Sequence, residues 1–184
     1  MEPVTLFEQR EIEVHFDLDG YRLIPGCTGV LGEPIENFLD LYAVAPGATV
    51  RISTPHDLAR ITRAVRSAAE ALEFVRLFTS PQTHYLFDRR GVVLELAVAD
   101  TDARGFGVIS RETARRLALP DVDVASSAEA FTVERCLVRA DSPADTRTVL
   151  VRSERVHHDG KYELVSERPL GRLATEDVAL PVYE

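Results

Sequence analysis

Cysteine is almost missing from this sequence. Cys27 and Cys136 are the only two, and neither stands near a His or a second Cys at metal-ligand spacing. Two reduced, buried thiols are expected, so the reading contains no disulfide framework, no metal site and no cofactor. Lysine is scarcer still: Lys161 is the only one, and arginine supplies the rest of the 21 basic side chains, a bias expected of a GC-rich bacterial genome. Positive charge as a whole is outweighed by 30 acidic residues, for a net charge of −9. That balance opposes nucleic acid and anionic membrane surfaces as partners. There is no apolar run of about 18 or more residues and no charged opening followed by an apolar stretch, so a cytoplasmic protein is expected. The phosphate-cradling glycine patterns of dinucleotide and P-loop sites are also missing, so no nucleotide is implied. No internal repeat or low-complexity tract interrupts the chain.

What is present is ordinary globular material: 45% hydrophobic and 28% charged residues over 184 positions. A chain of that length buries a real core, and one domain over 1–184 is expected. The first informative stretch is His15 to Gly26, HFDLDGYRLIPG. Its Asp-x-Asp-Gly resembles the first motif of the haloacid dehalogenase superfamily. That resemblance implies Asp17 as nucleophile, Asp19 as acid and base, and a bridging magnesium. The surrounding residues read differently. Ile12, Val14, Phe16 and Leu18 alternate with Glu11, Glu13, His15 and Asp17, as on a half-buried strand. Asp19-Gly20 is then a two-residue hairpin signal, with Tyr21 and Leu23 continuing the alternation. The superfamily pattern also requires a mostly apolar parallel strand, a Thr where Tyr21 stands, and a later Lys in the right place. A hairpin is therefore the expected structure here.

Pro34 suits the first position of a short helix carrying Ile35, Phe38, Leu39 and Tyr42 on one face, ending near Pro46-Gly47. The clearest helix signal follows: Thr54 as N-cap, Pro55 at the first position and Asp57 three after the cap. Leu58, Ile61, Val65, Ala68, Leu72 and Val75 recur at spacings of three and four, which predicts one long helix from Pro55 to Phe78 before Ser80-Pro81. Strands are expected over 83–87 and 92–99 around a loop at 88–91, then a short helix capped by Ser110 over Arg111 to Leu117 and a loop from Asp121 to Ala128. Three more strands follow: Phe131 to Arg139, Thr146 to Val156 and Lys161 to Glu167. The sum is an α+β domain, an antiparallel sheet built from hairpins with one long helix packed on a face.

Clusters of chemistry-bearing residues are thin. Asp100, Asp102 and Gly105 begin like a calcium loop, but Arg104 and Arg111 occupy ligand positions. Ser80, His84 and Asp88 lack the turn that presents a nucleophile. His157-His158-Asp159 is the only cluster of metal-type ligands, and adjacent strand residues point to opposite faces. The turn at His158 to Lys161 is expected to pair His157 with Tyr162, Val156 with Glu163 and Arg155 with Leu164. Its mixed charge places this ribbon at the sheet edge with its tip free. The leading reading is a non-catalytic accessory, inhibitor or immunity-type protein that binds another protein through His157, His158 and Tyr162, with self-association left open. The alternative is an enzyme or small-ligand-binding module whose pocket is assembled from distant residues, distinguished by a deep pocket with converging polar groups.

Overall fold

The computed structural model describes residues 4–28, 39–80, 83, 93–99, 108–141, 146–174 and 178. The fold is mostly β. One antiparallel sheet contains β1 (Val4–Leu6), β2 (Arg22–Thr28), β3 (Leu39–Ala45) and β4 (Ala48–Ile52), side by side in that order. A second sheet has the order β11-β10-β9-β5, from β5 (Val93–Glu95), β9 (Ala130–Asp141), β10 (Thr146–His157) and β11 (Tyr162–Ala174). β8 (Asp123–Ser126) also pairs with β9. β6 (Ala97–Ala99) and β7 (Val108–Ser110) form a small parallel pair. The helices are short: α1 (Pro55–Ala59), α2 (Ala68–Arg76) and α3 (Arg111–Leu117).

The expected α+β domain with one long helix is thus overturned. The chain leaves helical geometry after Arg60, and hydrogen bonds to two distant segments hold it extended. Asp17 exchanges backbone bonds with this stretch, accepting from Arg63 at 2.7 Å and donating to Ala64 at 3.0 Å, while Val65 donates to His158 at 3.0 Å. A second start signal then opens α2. Ser67 Oγ accepts from the Glu70 amide at 3.2 Å, and Glu70 Oε2 reaches back to the Arg66 amide at 2.8 Å. Ser-x-x-Glu is a capping sequence, here embedded in the apolar stripe that suggested continuity. Because the joint is extended, Ile61 and Val65 reach the core without a helix, whereas Ala68 is exposed and Leu72 only half-buried.

Two further readings change. Leu39–Ala45 is a strand rather than part of a helix. It lies between β2 and β4, and the two-sided burial of such a strand mimics helical spacing in a short apolar run. Part of the expected loop at Asp121 to Ala128 is β8. The hairpin loop at 88–91 and the calcium-like stretch at 100–107 lie outside the described residues.

The turn at Asp19-Gly20 forms with positive φ at both positions, 53° and 83°, as the sequence signal requires. The strand before it does not run on: Ile12 bridges Leu23, and Asp17 bridges Ala64. Asp17 accepts from the Asp19 amide and from Arg66, each at 3.0 Å, and these contacts hold its carboxyl below the ordinary value. It caps a turn and does not end a parallel strand, so the dehalogenase-like geometry is not present.

β9 and β10 pair residue for residue from Asp141 opposite Thr146 to Ala130 opposite His157. Alternation sends Phe131, Val133 and Val156 to one face, where they meet Phe74, Val75, Leu23, Leu41 and Ile52. It sends Cys136, Val138, Val149 and Val151 to the other, against Leu94, Leu96, Ile109 and the α3 residues Ala114 and Leu117. One sheet therefore carries two cores on opposite faces. Among the described residues, no helix is long and apolar enough to cross a membrane.

Candidate functional site

The structure draws the three residues proposed from sequence inward. Expected pairing around a two-residue turn is replaced by a three-residue loop, His158-Asp159-Gly160. His157 donates to Lys161 O at 2.8 Å, and Val156 faces Tyr162. This slip by one residue moves Tyr162 to the face of the first core. Its ring stacks on Phe74 with centroids 6.1 Å apart, meets His56 edge-on at 5.1 Å, and its hydroxyl donates to Glu154 at 2.8 Å. His158 packs edge-on against Phe131 at 4.7 Å, and its ring nitrogens face Val65 O at 3.2 Å and Ser127 O at 3.3 Å. His157 is half-buried, on the strand face opposite Val156. His158 and Tyr162 thus anchor the hairpin tip to the joint between α1 and α2.

Glycine makes that anchoring possible. A Cβ on Gly160 would lie 2.5 Å from Thr62 O, whereas one on Gly20 would meet nothing within 4 Å, and both have φ near +80°, at +82° and +83°. Gly20→Ala is expected to cost about 1 kcal/mol, the penalty of a left-handed side chain. Gly160→Ala is expected to cost measurably more, because the tip must also leave Thr62. Urea denaturation of the two variants isolates the docking term, and equal losses would show that the tip contributes nothing.

Behind the tip lies a closed polar network. Arg135 is fully buried. It donates from Nε to Glu154 at 2.8 Å, from Nη2 to Val75 O at 3.0 Å, and from Nη1 to Thr79 at 2.5 Å and Glu95 at 3.2 Å. Arg76 completes it with bonds to Glu95. Each of the three guanidinium nitrogens has a partner, so its role is structural.

A cavity opens on the opposite face of the second sheet. A cleft of about 550 Å³ is walled by α3 on one side, by Leu96 and Val98 on the other, and by the Pro120–Val122 segment, with Cys136 from β9 at its base. Local sequence shapes it. Ser110 Oγ caps α3 by accepting from the Thr113 amide at 3.1 Å. The helix closes with a Schellman pair, Ala118 N to Arg115 O at 3.0 Å and Leu119 N to Ala114 O at 3.1 Å. Ala118 adopts φ 49°, the left-handed conformation usual for glycine, and this reversal sends Leu119 to Val122 back along the cleft. Arg111 and Arg115, one turn apart, line the same space, as does Asp121. Burial pushes the Cys136 thiol up to about 11, and its Sγ lies 3.5 Å from Pro120 O. A thiol so protonated is no nucleophile.

Sequence reading placed α3 and its cap, but the one strand expected over 92–99 is two short strands, β5 and β6, in different sheets, and nothing brought either together with Cys136. No local motif marks the cleft, because its lining comes from three separate stretches of the chain. Among the described residues, no three His, Cys, Asp or Glu side chains gather where they could hold a metal ion. Comparison with protein-family models, curated proteins and solved structures finds no match to this chain.

Proposed function

We propose that this chain is a non-catalytic binding module that takes a small, partly apolar ligand in the cleft beside α3. The observation that carries this reading is the cleft itself. Its volume of about 550 Å³ falls within the range of small-molecule sites, and its lining presents apolar and polar surface in nearly equal measure. The exposure of Val98, at 50%, and Val122, at 38%, adds apolar surface at a concave place where a ligand can cover it. The chemistry of the lining supports binding rather than turnover: two guanidinium groups, one carboxylate and a protonated thiol provide no nucleophile paired with a base. Titration with the uncharged solvatochromic dye Nile red is expected to show saturable one-to-one binding. Val98→Glu should abolish it, while Val50→Glu, on the exposed surface of β4, should leave it unchanged. Absence of saturable binding, or equal effects of the two substitutions, would refute the reading.

The protein-partner reading retains one observation of its own. On the edge strand β11, close to the tip, Leu164 is 47% and Val165 43% exposed. A partner would cover these side chains rather than add a strand, because extra residues at Val165 and Leu170 and the proline at 169 break up the free edge. Leu164→Glu would then abolish co-purification of a host protein with the dye site intact, and retention of that protein would end this alternative.

A further inference from the structure

His158 is held between two oxygens that have no proton to give. Its Nδ1 faces Val65 O at 3.2 Å, on the joint between α1 and α2, and its Nε2 faces Ser127 O at 3.3 Å, on the turn between β8 and β9. A neutral imidazole carries one N–H, and its second nitrogen is a bare acceptor. Whichever tautomer forms, a lone pair is then turned toward a carbonyl oxygen. The imidazolium, with a proton on each nitrogen, donates to both.

The backbone around the ring fixes this placement. Val65 N donates to His158 O at 3.0 Å, His158 N donates to Glu129 O at 3.1 Å, and Gly160 seats the loop against Thr62. Charged side chains on the surrounding elements are largely paired: Arg60 with Asp57 at 3.5 Å, Arg63 with Asp19 at 3.9 Å, Arg66 with Asp17 at 3.0 Å and Lys161 with Asp159 at 2.6 Å. His157 stands on the same loop, His56 lies over Tyr162, and Glu129 adds negative charge, which favours a cation. The main preference therefore comes from the two carbonyls.

We propose that the hairpin tip is a proton-operated latch, docked on the joint with His158 as an imidazolium and released when that ring gives its second proton to solvent. A proton taken up on docking makes acid favour the closed form, so the stability that docking adds is full at low pH and is lost as pH rises through the histidine range. Opening uncovers Phe131, against which the ring packs, and Val65, both buried while the tip is docked.

Urea denaturation of the intact protein and of His158→Gln, at about pH 5 and about pH 8, tests this. A glutamine has its donors on a single nitrogen and cannot serve oxygens on opposite sides. The ratio of the two unfolding constants is expected to be about tenfold larger at the acid end, the lower range of what a charge-assisted hydrogen bond supplies. His15, whose ring lies 2.9 Å from Glu73, titrates in both proteins and cancels from the ratio. Gly160→Ala, which keeps His158 but displaces the loop from Thr62, should lose the same pH dependence. Nitrogen-15 signals of the His158 ring in the unaltered protein supply a readout that needs no variant: as the ring becomes neutral, protection of the Val65 amide from exchange, corrected for its intrinsic rate, should fall in step. A ring that turns neutral under an undiminished Val65 protection would overturn the latch, as would a ratio that stays constant or grows toward the alkaline end. Full pH dependence retained in Gly160→Ala would overturn it too, by separating the titration from docking.

Discussion

Arg135→Met is expected to destabilise the protein by about 3–5 kcal/mol, the range for breaking a buried ion pair from one side. The guanidinium has no exposure, and its partner Glu154 has 1%, so the variant leaves a carboxylate in the interior with Tyr162 as its remaining donor. Val75 O and Thr79 lose donors at the same time. A double variant, Arg135→Met with Glu154→Met, should recover much of the loss, because removing both charges removes the uncompensated one. Additive losses in denaturant titrations would mean that the two side chains act independently. Glu95 gives the pH counterpart. Burial alone would push its carboxyl up, but hydrogen bonds from Arg76 and the charge of Arg135 hold it below the ordinary 4.5. Its contribution is therefore full above that value and lost as pH falls through the lower value of the folded state. The gap between the protein and Arg135→Met should narrow in acid, and a gap that widened would contradict this arrangement.

Phe74→Ala is expected to cost about 3–5 kcal/mol, as for other fully buried aromatic rings. The ring is completely inaccessible, tilted against Phe16 with centroids 5.4 Å apart and stacked on Tyr162 at 6.1 Å. It thus joins the first turn, α2 and the hairpin tip. Leu72→Ala, which a continuous helix would make a core deletion of similar size, should cost less than half as much, since α2 leaves Leu72 half-buried. Thermal denaturation of the pair distinguishes the two arrangements, and equal losses would restore the single helix.

Sequence signals were reliable where local chemistry decides. Thr54 with Asp57 closes a capping box, Ser110 caps α3, and Asp19-Gly20 turns with positive φ because nothing distant competes there. They failed where tertiary hydrogen bonds override a period. In the joint at 60–66 the Arg63 and Val65 amides bond to Asp17 and His158, residues that no window around it contains. At the His158 loop, one residue of slip decided whether Tyr162 lay outside or inside, and Asp-Gly alone did not specify it. The cleft was illegible for a different reason: each of its walls has an ordinary structural explanation, and only their meeting makes a cavity.

The paired strands β9 and β10 serve both cores, and this has a thermodynamic consequence. Cys136 at the base of the cleft is bonded within the same strand as Phe131 and Val133, which cover the opposite face. A molecule held in the cleft would add to the cost of separating these strands, by mass action, an amount that grows with the logarithm of its concentration over its dissociation constant. Occupancy on one side of the sheet is then felt as resistance to opening on the other, with no change of shape needed to transmit it.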